Sequence, residues 1–306
     1  MKKVVVIAGG LSSEKEVSLQ SGQGVFEALL RKGYDAHLVQ LTDDIVAFVQ
    51  TLQQLKPDVV FNALHGKFGE DGNIQGLLNL LGIPYTHSGV LASAAGMDKH
   101  FAKMIFTSAG IPVAPEKIVT LSDMKNGEKL PYPYVIKPNN EGSSVGVYII
   151  ENEQQEQNLI ASWPFGGAKV MMEAYIAGRE MTVSVINGKA VGITEIAPKC
   201  GFYDYENKYL DGKTDHILPA QIPQEDANKM MHYAQTAHHA LGCRGASRTD
   251  FRYDDTNPNQ KHIVALEINT QPGMTKLSLL PEAAKYAGIS YEDLVSLLVE
   301  EAICEQ

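Results

Sequence analysis

The feature that most limits what this chain can become is a continuous apolar run at residues 4–8, closed by Gly9-Gly10. Five apolar side chains without alternation suit a strand covered on both faces. Such cover calls for a parallel sheet held between helices, and the next segments supply one. Ser13-x-x-Glu16 reads as a capping box, and Arg31-Lys32-Gly33 reads as a helix stop. Residues 36–41 read as a second strand, 43–55 as a helix and 59–64 as a third strand. The order β-α-β-α-β implies right-handed crossovers and an open parallel sheet. The loop 65–72, His-Gly-Lys-Phe-Gly-Glu-Asp-Gly, follows the third strand, where such sheets bind ligands.

The rest of the 306 residues is organised differently. Two short helical stretches follow Gly82-Ile-Pro84, and the proline-spaced piece 110–115 reads as a connector. Val135-Ile-Lys137-Pro138 is a short strand before the loop Glu141-Gly-Ser-Ser-Val-Gly146 and a strand at 147–150. Residues 170–185 and 190–196 read as further strands, and 224–241 as a helix. The stretch 197–217 is polar, aromatic and aperiodic, the pattern of a functional lid or a disordered loop. A terminal helix opens at Ser290 with Leu294, Leu297 and Leu298 on one face.

Composition narrows the function classes. Hydrophobic residues at 44% and charged residues at 20% describe a soluble globular protein. The formal charge of −10 makes a poor general partner for nucleic acid or anionic membrane. The three cysteines, Cys200, Cys243 and Cys304, form no Cys-x-x-Cys, which argues against a disulfide framework or a thiolate zinc site. Lys2-Lys3 before the first apolar run imitates a secretory leader, but the run is too short, and no run approaches a membrane span. The chain reads as a cytoplasmic enzyme in a reducing compartment.

The sharpest chemical signal is Arg248-Thr-Asp250 facing Glu267-Ile-Asn269 on two strands, 247–253 and 262–269, joined by a turn-forming segment. Side chains two apart share a strand face. One face then holds two carboxylates and an amide oxygen, hard ligands suited to Mg²⁺ or Mn²⁺. Ala265 shares that face, while Leu266 and Ile268 are expected in the core. Arg248 could stabilise a transferring phosphoryl group or an acyl oxyanion. An ordinary polar strand face with an ion pair is the bland alternative. The following segment, Thr270-Gln-Pro-Gly273-Met-Thr-Lys-Leu-Ser278, puts backbone N–H groups close by and favours the metal reading.

Lys137 beside a glycine- and serine-rich loop could bind phosphate. The loop is neither a P-loop nor a Rossmann fingerprint, which weighs against a nicotinamide-linked dehydrogenase. Glu173 and Glu180 flank Ala174-Tyr-Ile-Ala-Gly-Arg179, read as strand–turn–strand. A purine could lie there, its edge read by the backbone of Ala174 and Ile176, although from these residues alone a surface hairpin with exposed acids is the better account.

Taken in order, these motifs resemble the D-alanine–D-alanine ligases of the ATP-grasp superfamily. The resemblance runs from Gly9-Gly-Leu-Ser-Ser-Glu-Lys-Glu16-Val-Ser to the last helix. It includes Gly69-Glu-Asp-Gly72, Met97-Asp-Lys99, Lys137-Pro, Phe202-Tyr-Asp-Tyr-Glu-Asn-Lys208-Tyr209 and Glu267-Ile-Asn269-Thr-Gln-Pro-Gly273-Met-Thr. It implies a mixed α/β and α+β protein, an ATP-grasp fold with an N-terminal open parallel-sheet domain. The implied boundaries are 1–96, 97–188 and 189–306, for a substrate domain and the central and C-terminal lobes of the grasp. The implied reaction consumes ATP and two D-alanines, passes through D-alanyl phosphate, and serves peptidoglycan synthesis in a homodimer.

The resemblance also implies roles. Lys99, Lys137, Ser143, Ser144 and Lys208 bind ATP phosphates. Glu173, Ala174, Ile176 and Glu180 hold adenine and ribose. Asp250, Glu267 and Asn269 hold two Mg²⁺ (or Mn²⁺). Arg248 and the Gly273 N–H form an oxyanion hole. Glu16 pairs with the first D-alanine's ammonium, near Ser143, Tyr209 and His65. Ser278 and the Leu279 N–H take the second carboxylate. Lys208 and Tyr209 belong to a lid, where Tyr209 favours D-alanine over D-lactate or D-serine as the second substrate. One departure is Ala174, where members of the family often carry lysine. A nucleotide-binding module without catalysis is the reading from another class, and Arg248 argues against it, since a mere binder needs no oxyanion donor.

Overall fold

Strand β1 (Lys3–Gly9) is the middle of a three-stranded parallel sheet, between β2 (Asp35–Leu41) and β3 (Val59–Asn62). The computed structural model describes residues 1–142, 146–199, 214–256 and 262–305. The β1 side chains divide between two cores, as an unalternating run requires. Val4 and Val6 pack with Val25 and Leu29 of α1 (Lys15–Arg31), whereas Val5 and Ile7 pack with Phe48 and Leu52 of α2 (Ile45–Leu55).

The expected capping box does not form. The N-cap of α1 is Glu14, without a side-chain cap hydrogen bond. Ser12 organises the turn instead, accepting from the Glu14 N–H at 3.2 Å and donating to the His65 carbonyl at 2.6 Å. Strand β3 ends two residues before its apolar run does. The buried Asn62 side chain donates to the Gly69 carbonyl at 2.9 Å and to Gln271 Oε1 at 2.7 Å, and accepts from the Leu64 N–H at 3.1 Å. Asn62 thereby folds the 65–72 loop back and ties it to the C-terminal part of the chain. Helices α3 (Asn73–Leu80), α4 (Val90–Met97) and α5 (Lys99–Ser108) follow, the last capped by Asp98, which accepts from the Phe101 N–H at 2.9 Å.

Two antiparallel sheets make up the rest. The first has order β4-β7-β5-β6, with β4 (Glu116–Val119), β5 (Tyr134–Pro138), β6 (Tyr148–Ile150) and β7 (Val170–Ala174). Helices α6 (Leu121–Lys125) and α7 (Glu153–Ser162) belong to this lobe. The second sheet has order β10-β9-β8-β11-β12, with β8 (Arg179–Ile186), β9 (Lys189–Pro198), β10 (Thr214–Ile217), β11 (Ala246–Asp254) and β12 (His262–Asn269).

Four expectations change here. Strand β8 pairs with β9 and β11, so a lobe boundary after residue 188 would cut a sheet. The sheets part at residues 175–178, so Glu173 and Glu180 flank a crossover rather than a hairpin. Gly178 makes that crossover possible: its φ is +87°, and a Cβ there would overlap the Tyr253 carbonyl. Thr214–Ile217, inside the stretch read as irregular, is an edge strand on β9, and its short polar sequence hides the alternation. Finally, a bulge shifts the β11–β12 register after Asp250, which brings Ala265 opposite Phe251 in the core. Leu266, the unpaired residue, leaves the expected core face and lines a cleft, while Ile268 stays buried.

Helix α8 (Gln224–Ala240) packs on the large sheet, and α9 (Leu279–Tyr286) and α10 (Tyr291–Glu300) close the structure. Ser290 caps α10, accepting from the Asp293 N–H at 3.1 Å. Leu294, Val295, Leu298 and Val299 of α10 share one core with Val4, Val6 and Leu29. Leu298 is 1% exposed at that junction. Leu298→Ala is expected to cost about 2–5 kcal/mol, read as a lower midpoint of chemical denaturation, with no change in the residues that face the clefts.

Candidate active site

Two clefts meet at a shared wall. The first is lined by Glu14, His65, Glu70, Arg248, Asn269, Gly273, Ser278 and Leu279, among others. The second lies where the four- and five-stranded sheets face each other. Lys137, Ala174, Ile176, Glu180, Asp250 and Leu266 line it. Lys99, Glu141 and Glu267 line both.

The β11–β12 register builds the shared wall. Arg248 lies opposite Asn269, and Asp250 opposite Glu267. Asp250 accepts from Arg248 Nε at 2.9 Å and Nη2 at 3.0 Å, and from the Thr182 hydroxyl at 2.5 Å. Glu267 lies 3.3 Å from Lys99 Nζ, which also donates to the Glu141 carbonyl at 2.5 Å. The Asn269 side-chain oxygen accepts from the Gln271 N–H at 2.9 Å. Among the described residues no three His, Cys, Asp or Glu side chains group as a metal site, and here the third donor is the Asn269 amide. Two carboxylates and an amide oxygen on one strand face nevertheless fit a hard divalent cation such as Mg²⁺.

A buried cluster stands behind the second cleft. Glu173, 2% exposed, accepts from Lys137 Nζ at 2.7 Å through one oxygen and pairs with Lys103 through the other. Burial alone would raise the Glu173 carboxyl, but Lys137 and Lys103 together hold it below its ordinary range. Burial pulls Lys137 down, and the charges of Glu173, Glu267 and Glu180 more than reverse this. An adenine-side role for Glu173 does not follow from this geometry, because both oxygens are engaged. The Ala174 N–H is also taken, donating to the Pro115 carbonyl at 2.9 Å, and the Ile176 carbonyl accepts from Arg252 Nε at 3.0 Å. Lys103 and its cluster escaped sequence reasoning; the only hint was its position one helical turn after Lys99.

In the first cleft the structure places Glu14 rather than Glu16. Glu16 is exposed and lies outside the cleft, whereas Glu14 is buried and lines it. Glu14 precedes the first turn of α1 and faces the loop, its carboxylate 3.7 Å from where a Cβ on Gly142 would stand. Glu16 falls in the first turn, on the solvent side. Both glutamates belong to one motif, and only the helix start distinguishes them. His65 lies 3.2 Å from the Ser21 hydroxyl through Nε2 and 3.4 Å from Glu70 through Nδ1. Glu70 also accepts from the Gly66 N–H at 2.9 Å. Sequence reasoning passed over Glu70 although it stands in the Gly69-Glu-Asp-Gly72 motif.

Gly273 lets the next turn close: a Cβ there would lie 2.8 Å from the Ser278 hydroxyl. That hydroxyl accepts from the Thr275 N–H at 3.0 Å, and Ser278 is the N-cap of α9. The Leu279 N–H is then the first of the helix, where an anion is favoured. Ser143, Ser144, Lys208 and Tyr209 lie outside the described residues.

Burial pulls the His65 imidazole down, but the hydrogen bond and charge of Glu70, with the charge of Glu14, hold it above its ordinary value. Titration of His65 by NMR is expected to give a pKa above 6.5 in the unsubstituted protein. In Glu70→Gln burial prevails and the pKa should fall; an unchanged value would show that Glu70 does not set it.

The chain was also compared with known proteins. The model described as D-ala D-ala ligase C-terminus matches residues 105–300, and that described as D-ala D-ala ligase N-terminus matches residues 45–88. The D-alanine–D-alanine ligase of Paramagnetospirillum magneticum is 51% identical over 305 residues, covering 99% of both chains. That of Granulibacter bethesdensis is 50% identical with the same coverage. The crystal structure of the Bacillus anthracis D-alanine–D-alanine ligase complexed with ATP superposes with a TM-score of 0.82 at 32% identity. That match covers 98% of this chain and 96% of the other. With a family model over most of its length and relatives at half identity end to end, the chain belongs to the D-alanine–D-alanine ligase family of ATP-grasp proteins.

Proposed function

We propose that the protein joins two D-alanines into D-alanyl-D-alanine, converting ATP to ADP and phosphate through D-alanyl phosphate, for peptidoglycan synthesis. The observation that carries this reading is the wall shared by the two clefts. Lys99, Glu141 and Glu267 border both, so a nucleotide in one cleft meets an amino acid in the other at the Asp250–Glu267 pair.

The chemistry follows from the leaving group. A carboxylate is a poor acyl donor because oxide is a poor leaving group. An oxygen of the first D-alanine's carboxylate attacks the γ-phosphorus of ATP, the bond to ADP breaks, and an acyl phosphate forms. The amine of the second D-alanine attacks the acyl carbon, and phosphate leaves. Asp250, Glu267 and Asn269 would hold two Mg²⁺ (or Mn²⁺), which supply charge neutralisation on the ATP phosphates.

Each residue has a physical reason for its part. Glu14 takes the first D-alanine's ammonium from a buried position in the amino-acid cleft. His65 and Glu70 brace that wall. Arg248 and the Gly273 N–H stabilise the oxyanion, because both line the cleft beside the acyl position. Ser278 and the Leu279 N–H receive the second carboxylate at a helix N-terminus. Lys99 and Lys137 bind phosphates. Glu180 holds the ribose, and the Ala174 carbonyl and Ile176 N–H hold adenine, without the side-chain contact a lysine at 174 would add. Ser143, Ser144, Lys208 and Tyr209 complete the phosphate loop and the lid in this reading.

No helix among the described residues is long and apolar enough to cross a membrane. The cytoplasm, where ATP is plentiful, is the compartment that suits the reaction. The chain acts as a homodimer in this reading. Leu80 and Leu91, 89% and 79% exposed on the contacting helices α3 and α4, supply an apolar surface for it. Sedimentation should then give twice the chain mass, and Leu91→Glu should shift it toward the monomer.

The decisive assay is Mg²⁺-dependent ADP release with D-alanine, L-alanine, D-serine, or D-alanine plus D-lactate, each product identified by mass. The expected result is turnover with D-alanine alone, giving the dipeptide; a D-lactate ester at neutral pH would overturn the choice of second substrate. Glu14→Gln should raise the KM for D-alanine at least about tenfold, the scale of a lost charged hydrogen bond, whereas Glu16→Gln leaves it unchanged. The opposite pattern would return the ammonium site to Glu16.

A further inference from the structure

The two clefts leave Lys103 without a role, although few side chains are as buried. It lies on α5 one turn beyond Lys99 and is 1% exposed, against 7% for Lys99. Its ammonium donates to the Ala265 carbonyl at 3.1 Å and pairs with one oxygen of Glu173. The other Glu173 oxygen holds Lys137 at 2.7 Å. Of these two lysines, only Lys137 lines the cleft between the sheets.

A buried carboxylate 2.7 Å from a phosphate-binding lysine is a problem for an ATP site. By itself it would cancel the lysine's charge and present its own negative charge to a polyanion, in surroundings where charges are weakly screened. A second cation on the far side of the carboxylate changes the sum. Two ammonium groups and one carboxylate leave the cluster with one net positive charge, and the exposed end of that charge is Lys137.

We propose that Lys103 is a positioning residue for nucleotide binding: it neutralises Glu173 from behind, so that Lys137 carries an uncancelled charge toward the nucleotide phosphates. Lys103 touches no nucleotide itself. The inference rests on reading the cleft between the sheets as the ATP site. Glu173 then serves as the strut that fixes both ammonium groups, with Lys103 anchored to β12 through Ala265.

A purely structural Lys103 would matter through packing and the Ala265 carbonyl, whatever the charge at position 173. An electrostatic Lys103 matters only while Glu173 is charged. ATP affinity measured by calorimetry on the full chain separates the two. Lys103→Met is expected to weaken ATP binding at least tenfold and to raise the KM for ATP, with the KM for D-alanine unchanged. Lys103→Met with Glu173→Gln is expected to recover most of that loss. Should Lys103→Met fail to fold, the double variant, whose cluster keeps one net positive charge on Lys137, is compared with the unsubstituted protein, and the two should bind ATP alike. A folded Lys103→Met with unchanged affinity overturns the inference. So does a double variant that binds no better than Lys103→Met, or tenfold more weakly than the unsubstituted protein. Absence of ATP binding by the unsubstituted protein would overturn the cleft assignment, and this inference with it.

Discussion

The pairing of β11 with β12 is the constraint on which the rest of the site depends. Side chains alternate across a strand, so a slip of one residue would send Asp250 and Glu267 to opposite faces. Two things hold the register. Strand β11 is pinned on its other edge by β8, from Ala246 opposite Ile186 to Tyr253 opposite Arg179. The bulge after Asp250 absorbs one residue of β12, so that Ala265 returns to the core while Glu267 and Asn269 stay at the cleft. The Ala265 N–H donates to the Pro112 carbonyl at 2.9 Å, which fastens β12 to the connector before the four-stranded sheet. Core packing and cleft chemistry are thus set by one ladder, with the bulge marking where one gives way to the other.

Electrostatics follows from that placement. Two acids of the site are met by cations: Asp250 by Arg248 on its own strand, and Glu267 by Lys99 from α5. Behind them the Lys103–Glu173–Lys137 cluster links α5, β7 and β5. A chain with a net charge of −10 thus places Lys99, Lys137 and Arg248 where it would meet a polyanion. Overall charge says little about such a local field.

Sequence patterns exposed much of this and concealed some. The unalternating run at 4–8 predicted the buried parallel sheet, and the bounds 262–269 for β12 came directly from its alternation. The face shared by Glu267 and Asn269 was legible for the same reason. Leu266 was not, because a bulge depends on how two strands meet and leaves no mark on either alone. Glu14 and Glu16 could not be separated by motif, since one residue in the helix start decides which faces the cleft. The crossover at 175–178 looked like a hairpin because short-range signals report a turn, not which sheet each strand joins. Lys103 was invisible because its partner Glu173 lies seventy positions away along the chain.

The core shared by β1 and α10 has a consequence for how the chain is made. Val4, Val6 and Leu29 cannot complete their packing until Leu294, Leu298 and Val299 arrive, and almost the whole sequence separates them. During synthesis the N-terminal sheet and α1 therefore emerge with part of their shared apolar core uncovered. That part waits while the two antiparallel sheets are translated and folded. The nascent protein is exposed to aggregation through that uncovered part until its last helix is made.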